Sequence, residues 1–379
     1  MNLKHNSYFF LLATVTILTS CGRSVNSLFK GEVVKNTNVG KSFYKNSSDP
    51  YTFKYDSLKG SELQITYLGC GGFNIKRGGK SILIDPYFSN QPLLFKLFFS
   101  KLGFRTIQSD TATINKELSK FHQNHKASSI WVSHSHYDHL LDVPYVYEQY
   151  TNQGDSTIFC SQSGVNLLSS VNTINANNTI ALNKNLTTYE KMGKQYYTAD
   201  GTIRVTPIAS AHAPHLFWNI KFYEGKGKVH DKYKTSLSKS RSDWWKEGIP
   251  LSFLFDFLDD EGNIEFRIFL QTSAAPATKG FIPKSLLNQH RVNLAIFGAA
   301  SFGYVEGYPE PLLKYLNPER LIICHWEDFF VKYNRKKKKT VRFTNIKKYI
   351  YNVNEVYPWK VDGVEKFILP NPGTIIKIE

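Results

Sequence analysis

The stretch HSHYDH, residues 134–139, decides how this chain is interpreted. It follows IWV at residues 130–132, a β-branched and aromatic run that predicts a buried strand leading into a polar loop. Three imidazoles and one carboxylate within six residues are costly to bury unless a cation binds them. Imidazole and carboxylate are ligands for divalent zinc and iron. The alternative is a polar surface loop with chance histidines.

The spacing of these side chains predicts which of them bind the same ion. Because alternate side chains of a loop can converge, we expect His134 and His136 to bind one ion, with Asp138 and His139 facing a second position. Two further histidine motifs follow apolar, strand-like runs downstream. They are ASAHAPH at residues 209–215, which contains His212, and IICHWED at residues 322–328, which contains His325. Ligands collected from several strand ends are what a composite metal site requires.

Composition limits the class of protein. Of 379 residues, 47 are Lys or Arg and 31 are Asp or Glu, which gives a formal net charge of +16. With 41% apolar residues, the chain is too apolar for disorder and has no collagen-like or coiled-coil bias. Four cysteines in a chain of this length, none in a CxxC pair, exclude a disulfide scaffold.

The N-terminus predicts export and lipid anchoring. Lys4 precedes the apolar run 8–18, which is too short for a transmembrane helix and fits a signal peptide. The LTSC sequence ending at Cys21 resembles a bacterial lipobox, so residues 1–20 are predicted to be removed and Cys21 lipidated. We therefore expect a lipoprotein bound to a bacterial cell membrane; a buried helix followed by a chance cysteine is the alternative. Residues 21–60 are interpreted as a tether and N-terminal extension, and residues 61–379 as one domain.

The domain has an α/β pattern. Short β-rich runs between glycine turns begin near residue 63, and residues 251–273 predict a hairpin that turns at DDEGN. Helical stretches are predicted near residues 113–124, 140–152, 162–171 and 309–316. Alternating strands and helices indicate sheets covered by helices.

With these motifs in place, residues 63–379 resemble the metallo-β-lactamase superfamily. The resemblance includes TYLG at residues 66–69 and IDP at residues 84–86, and is greatest to the branch containing N-acyl-phosphatidylethanolamine phospholipase D and the ascorbate-phosphate lactonases. It implies a four-layer αβ/βα sandwich with the site along one edge. It also implies two metal positions, one with His134, His136 and His212, and the other with Asp138, His139 and His325.

The chain departs from that pattern at the Asp that usually bridges both metals. The matching strand is RIFL at residues 267–270, and Thr272 or Ser273 stands where the Asp should be. A neutral hydroxyl is a poor bridge between two dications. The site therefore holds one ion, holds two weakly, or recruits another carboxylate. Glu327 and Asp328 are candidates, although a supporting hydrogen-bond role or a solvated turn is the favoured interpretation.

The predicted chemistry is hydrolysis. A dication, zinc with iron or manganese as alternatives, lowers the pKa of bound water to about 7. Asp138 would orient the nucleophile or accept its proton. His215 would protonate the leaving group, or instead have a structural or substrate-contacting role. Cys70, among the glycines of residues 69–72, is interpreted as packing.

Two features bear on the substrate. The apolar segment 92–104 either lies in the membrane interface or packs over the sandwich. Basic runs at residues 226–246 and 335–348 either bind an anionic lipid or phosphorylated substrate, or only solubilise the surface. We expect a membrane-tethered hydrolase of a phosphodiester or phospholipid-like substrate, with nucleic acid disfavoured as a partner. The alternatives are a lactone or amide hydrolase, including β-lactams, and a non-catalytic surface binding module with a degenerate metal site.

Overall fold

The structure is a computed structural model. It describes residues 50–55, 63–91, 106–121, 126–214, 227–232, 237, 240–334, 338–342 and 344–379, and the backbone of three short strands at 44–45, 216–217 and 220–221. The predicted signal peptide with Cys21, the apolar segment 92–104, His215 and residues 335–337 of the second basic run lie outside the described residues. Export, lipidation and the domain division therefore stay predictions.

Twenty strands and seven α-helices are described. The strands are β1 Tyr44–Lys45, β2 Tyr51–Phe53, β3 Leu63–Gly69, β4 Gly72–Arg77, β5 Lys80–Ile84, β6 Ala127–Trp131, β7 Thr157–Cys160, β8 Thr179–Ala181, β9 Tyr196–Tyr197, β10 Ile203–Ala209, β11 Leu216–Phe217, β12 Ile220–Lys221, β13 Leu251–Leu258, β14 Ile264–Gln271, β15 Leu294–Gly298, β16 Arg320–Cys324, β17 Lys360–Val361, β18 Val364–Glu365, β19 Phe367–Pro370 and β20 Ile375–Ile378. The helices are α1 Thr111–Leu118, α2 Tyr137–Leu140, α3 Val143–Tyr150, α4 Gln162–Leu168, α5 Lys284–Gln289, α6 Glu310–Leu316 and α7 Ile346–Val356, with 3₁₀ turns at Ser242–Trp244 and Phe302–Tyr304.

These strands form two eight-stranded mixed sheets. The first has the order β2-β20-β3-β4-β5-β6-β7-β8, and the second has the order β1-β19-β16-β15-β14-β13-β10-β9. The pairs β11-β12 and β17-β18 are separate small sheets. The predicted hairpin is confirmed, since β13 and β14 pair antiparallel from Phe253–Leu270 to Leu258–Ile264. Strands β1 and β2, within the predicted N-terminal extension, each pair with an edge of one sheet.

Three apolar cores separate four layers. The central core contains residues from both sheets, and each outer core joins one sheet to its covering helices. In β13, Phe253 and Phe255 point into the central core while Leu254 between them faces the helix layer. Because both faces of the sheet are covered, every residue of this strand is buried. The predicted αβ/βα sandwich is confirmed.

Strand direction brings distant loops to one edge. In the first sheet β3 and β5 are both antiparallel to β4, and β6 is parallel to β5, so the C-terminal ends of β3, β5 and β6 lie together. In the second sheet β10 and β14 are both antiparallel to β13, and β15 and β16 continue parallel to β14. The C-terminal ends of β10, β14 and β16 therefore also meet. Every candidate ligand within the described residues follows one of these strands.

Candidate metal centre

Three histidines form one group at this edge. His134 and His136 follow β6, and His212 follows β10 in the other sheet. One potential ligand atom from each lies within 4.8 Å of the other two. Their ring centroids are 4.7 Å apart in all three pairings, so the imidazoles surround a common centre. These are the three residues that the sequence predicted for the first metal position.

The environment of these rings leaves nitrogen lone pairs for a cation. His134 is buried, its Nδ1 is 3.1 Å from the Ser133 hydroxyl, and its Nε2 has no hydrogen-bond partner. His212 donates from Nδ1 to the carbonyl oxygen of Ala213 over 2.7 Å, which makes Nε2 the nitrogen with a lone pair. Burial, followed by the neighbouring histidines, lowers the pKa of His134 well below its usual value. A neutral imidazole is the form that binds a metal.

A second group lies beside the first. Asp138 Oδ2 is 3.7 Å from His139 Nε2 and 3.6 Å from His325 Nε2. These separations are too long for hydrogen bonds. Two ligands of one tetrahedral cation, with bonds of about 2.0 Å, are roughly 3.3 Å apart, so Asp138 is close enough to share an ion with either histidine. The potential clusters place Asp138 with His134 and His139 and, separately, with Cys70 and His325. His139 Nε2 and His325 Nδ1 are also buried without a hydrogen-bond partner.

Asp85 orients His139 from behind. It is the residue after β5, and its Oδ2 accepts a hydrogen bond from His139 Nδ1 at 2.8 Å. The same carboxylate accepts the Ser133 backbone N–H at 2.7 Å and the Ser133 hydroxyl at 2.5 Å. With the proton held on Nδ1, the lone pair of His139 is on Nε2, facing Asp138. The IDP motif thus supports a ligand rather than supplying one.

The pKa shifts of Asp138 and His139 give the second group the negative charge that a cation site requires. Burial opposes ionisation of Asp138, but His139 and His325 outweigh it and hold its pKa well below the usual range. Burial lowers the pKa of His139, whereas Asp85 and then Asp138 raise it, with a net increase. Asp138 is therefore a carboxylate at neutral pH. A divalent cation would replace the proton that His139 otherwise shares with two carboxylates.

Thr272 takes the place expected for the bridging Asp. Its hydroxyl is 2.9 Å from the Ser133 hydroxyl and 3.3 Å from Asp85 Oδ2, so it joins the hydrogen-bond network behind His139. A Cβ added at Gly71 would lie 2.7 Å from Thr272 Cβ and 2.9 Å from His139 Cε1. The glycine thus lets the β3–β4 turn approach both side chains. Ser273, the other residue considered for this place, has a buried hydroxyl without a hydrogen-bond partner.

Neither acidic neighbour of His325 takes part in the potential metal clusters of the described residues. Glu327 accepts hydrogen bonds from the Tyr67 hydroxyl at 2.5 Å and from the Cys70 backbone N–H. Asp328 accepts the Phe330 backbone N–H at 3.0 Å and lies 3.5 Å from Arg342 Nε. These contacts agree with a supporting role rather than with recruitment as a bridge.

Cys70, interpreted from the sequence as a packing residue, also lies beside two of the predicted ligands. Its Sγ and one ligand atom each of Asp138 and His325 all lie within 4.8 Å of one another. The thiol is buried in the apolar core that covers the first sheet, as the packing interpretation predicts. Packing by itself does not explain why polar ligand atoms lie next to the sulfur. The available signal was the row of glycines around it, which marks a turn that approaches another part of the molecule closely.

Three of the seven described non-glycine residues with positive φ lie at the site. Cys70, Asp85 and His325 each directly follow a strand and have φ of 51°, 41° and 52°. A non-glycine residue in this left-handed region costs on the order of 1 kcal/mol, and such residues cluster at functional sites. The three residues lie within or directly behind the second group.

Comparison with known proteins gives structural but not sequence matches. No protein-family model and no curated protein sequence matches the chain. A metallo-hydrolase from the archaeon Ignicoccus hospitalis is 14% identical, with a TM-score of 0.47 over 84% of this chain and 98% of that one. A metallo-β-lactamase-fold protein from Bacillus subtilis is 10% identical, with a TM-score of 0.43 over 83% and 98%. An isothiocyanate hydrolase from Delia radicum gut bacteria is 12% identical, with a TM-score of 0.43 over 82% and 98%.

The two sheets, their covering helices and the histidine loops along one edge form the αβ/βα sandwich that the sequence predicted. Of the predicted ligands, His134, His136 and His212 form one potential metal cluster. Asp138 lies beside both His139 and His325, which belong to two different potential clusters.

Proposed function

We propose that this protein is a divalent-metal-dependent hydrolase, tethered to a membrane through Cys21, that acts on a phosphodiester or phospholipid-like substrate. Zinc is the proposed metal, because imidazole-rich, roughly tetrahedral sites suit it; iron and manganese remain alternatives.

The proposal rests on one observation above all. The buried Nε2 atoms of His134 and His139 have no hydrogen-bond partner, and they lie in one cluster with an ionised Asp138. Leaving a buried polar atom without a partner costs about 1–3 kcal/mol. Two such atoms at one place are best explained by a cation that binds them.

A bound divalent cation supplies an activated water nucleophile and polarises the bond that is attacked. The chain supplies the positioning. Asp138 is 8% exposed and ionised, so its carboxylate can orient water or accept a proton at the site. Asp85 and Ser133 hold His139 in one orientation. His215 is proposed as the proton donor to the leaving group; it lies outside the described residues.

Charge favours an anionic substrate. The formal net charge is +16, and parts of both basic runs lie within the described residues. Lys338 and Arg342 of the second run already contact Tyr333 and Asp328, so the attraction comes from the charge of the two runs as a whole. A basic surface on a lipid-anchored protein also attracts anionic headgroups, by about 1 kcal/mol per nearby Lys or Arg. Among the described helices, none combines the length and apolar character needed to span a bilayer.

The test combines metal content with turnover. The protein is purified without chelators, reloaded with zinc, and assayed on a phosphodiester, a lactone and a β-lactam. His136→Ala should remove turnover while the protein stays folded. His230→Ala is the matched control, because His230 is exposed and belongs to no potential metal cluster of the described residues. Absence of metal after reloading, or equal turnover in His136→Ala, would sink the hydrolase proposal.

The same assay separates the alternatives. Turnover confined to the lactone or the β-lactam would favour the lactone or amide hydrolase. The non-catalytic binding module is favoured by one observation, namely that Thr272 provides no carboxylate between the two groups. It predicts metal binding without turnover on any of the three substrates.

A further inference from the structure

The second group of ligands has a deficit of negative charge. Asp138 is its carboxylate ligand. Thr272 is neutral, Glu327 accepts a hydrogen bond from the Tyr67 hydroxyl, and Asp328 lies beside Arg342. Two dications close together repel each other, and neutral imidazoles do not reduce that repulsion. A second anionic ligand would stabilise the second ion.

We propose that the Cys70 thiolate is this ligand, so that Cys70, Asp138 and His325 hold the second cation, with His139 beside Asp138. The inference rests on the proposed metal-dependent function and adds a ligand to the same centre. The Cys70 Sγ, Asp138 and His325 have ligand atoms within 4.8 Å of one another. Thiolate and imidazole are a common ligand combination for zinc.

Hydrogen bonds join the Cys70 and His325 backbones. The Tyr67 hydroxyl accepts the His325 backbone N–H at 2.9 Å and lies 3.0 Å from the Cys70 carbonyl oxygen. Glu327 accepts hydrogen bonds from both the Tyr67 hydroxyl and the Cys70 N–H. The turn after β3 and the loop after β16 are therefore positioned as a unit, although they belong to different sheets.

The local backbone supports a specific role for the side chain. Residues 69, 71 and 72 are glycines, which tolerate unusual φ and close approach. Residue 70 nevertheless has a side chain at φ 51°, with strain on the order of 1 kcal/mol. Glycine here would relieve that strain but would remove the sulfur that faces Asp138 and His325. Packing alone gives no reason for a polar neighbourhood around this thiol.

The test uses the full chain loaded with cobalt(II), a spectroscopic substitute for zinc. We expect two cobalt ions per chain and a near-ultraviolet sulfur-to-cobalt charge-transfer band. In Cys70→Ser the band should disappear, and the second ion should dissociate at least tenfold more readily in a chelator competition, while one ion stays bound. Cys160→Ser is the matched control, because Cys160 is also buried but belongs to no potential metal cluster of the described residues. It should keep both ions and the band.

A rescue variant separates ligation from folding. Cys70→Asp restores an anionic ligand atom, so it should recover the second ion without the charge-transfer band. Two cobalt ions without the band in the wild-type protein would overturn the Cys70 proposal while leaving the hydrolase proposal intact, and this measurement requires no variant. A band that persists in Cys70→Ser would also overturn it. Absence of cobalt from the wild-type protein would defeat both proposals.

Discussion

Replacing Asp85 with Asn tests whether the centre depends on the orientation of His139. Asp85 Oδ2 receives His139 Nδ1–H at 2.8 Å and the Ser133 hydroxyl at 2.5 Å, while Oδ1 receives the Ser133 backbone N–H at 2.7 Å. Asn has one acceptor and one donor in place of two acceptors. In either orientation of the new side-chain amide at position 85, its NH₂ group faces another hydrogen-bond donor, either the Ser133 backbone N–H or His139 Nδ1–H. Asn also tolerates the left-handed backbone at this position, so the change isolates the charge and hydrogen bonding.

The magnitude follows from the tautomer of His139. When the amide NH₂ faces Nδ1, the ring moves its proton to Nε2, which can then no longer bind a metal. When the amide oxygen faces Nδ1, the buried Ser133 N–H loses its acceptor. Loss of such a supporting carboxylate typically weakens metal binding 10- to 100-fold, or about 1.4–2.7 kcal/mol. We expect this loss for the second ion and a smaller effect on the ion bound by the group of His134.

The assay is competition with a chromophoric zinc chelator, which resolves two binding steps if both positions fill. Asp110→Asn is the control, because Asp110 is an exposed helix N-cap and is absent from the potential metal clusters. It should leave both affinities unchanged. Two zinc ions bound by Asp85→Asn with wild-type affinity would refute the argument that Asp85 sets the tautomer of His139.

Three further outcomes are expected. Gly71→Ala should lower the affinity for the second ion about tenfold in the same chelator competition, because the new Cβ would lie 2.9 Å from His139 Cε1 and displace the ring. An unchanged affinity would contradict a role for His139 in binding that ion. Arg267→Met should lower the free energy of unfolding in urea by up to about 3 kcal/mol, because Asp256 loses its fully buried partner and keeps only Arg204, which is partly exposed. An unchanged free energy of unfolding would contradict this. Burial raises the pKa of Asp142 from 3.8 to about 6, so the protonated side chain stabilises the fold by about 3 kcal/mol below pH 3.8, and this stabilisation is lost as the pH rises through about 6. Urea unfolding of the metal-free protein at a series of pH values should show this decline in the wild type and not in Asp142→Asn. The same pH dependence in both proteins would contradict the assignment to Asp142.

Local pattern accounts for much of the fold. The DDEGN turn between two apolar runs predicted the β13–β14 hairpin, and the HSHYDH stretch after a β-branched run predicted the loop with His134 and His136. Helix boundaries were less accurate; the first helix covers residues 111–118, against the expected 113–124. Helix α7 was missed, although Ile346, Tyr349, Ile350 and Val353 have helical spacing and are buried, because the basic residues among them favoured a surface interpretation.

The sequence by itself determined which side chains were available for a cation and that they follow strands. Each of these signals spans a few neighbouring residues, and the periodicity of a strand or helix is encoded locally. Which of those side chains meet is a property of strand order and direction. The fold places the Cys70 turn of the first sheet beside the His325 loop of the second, and turns Glu327 towards Tyr67 rather than towards the centre. No local pattern specifies such contacts, because they form only when two sheets pack across a shared core.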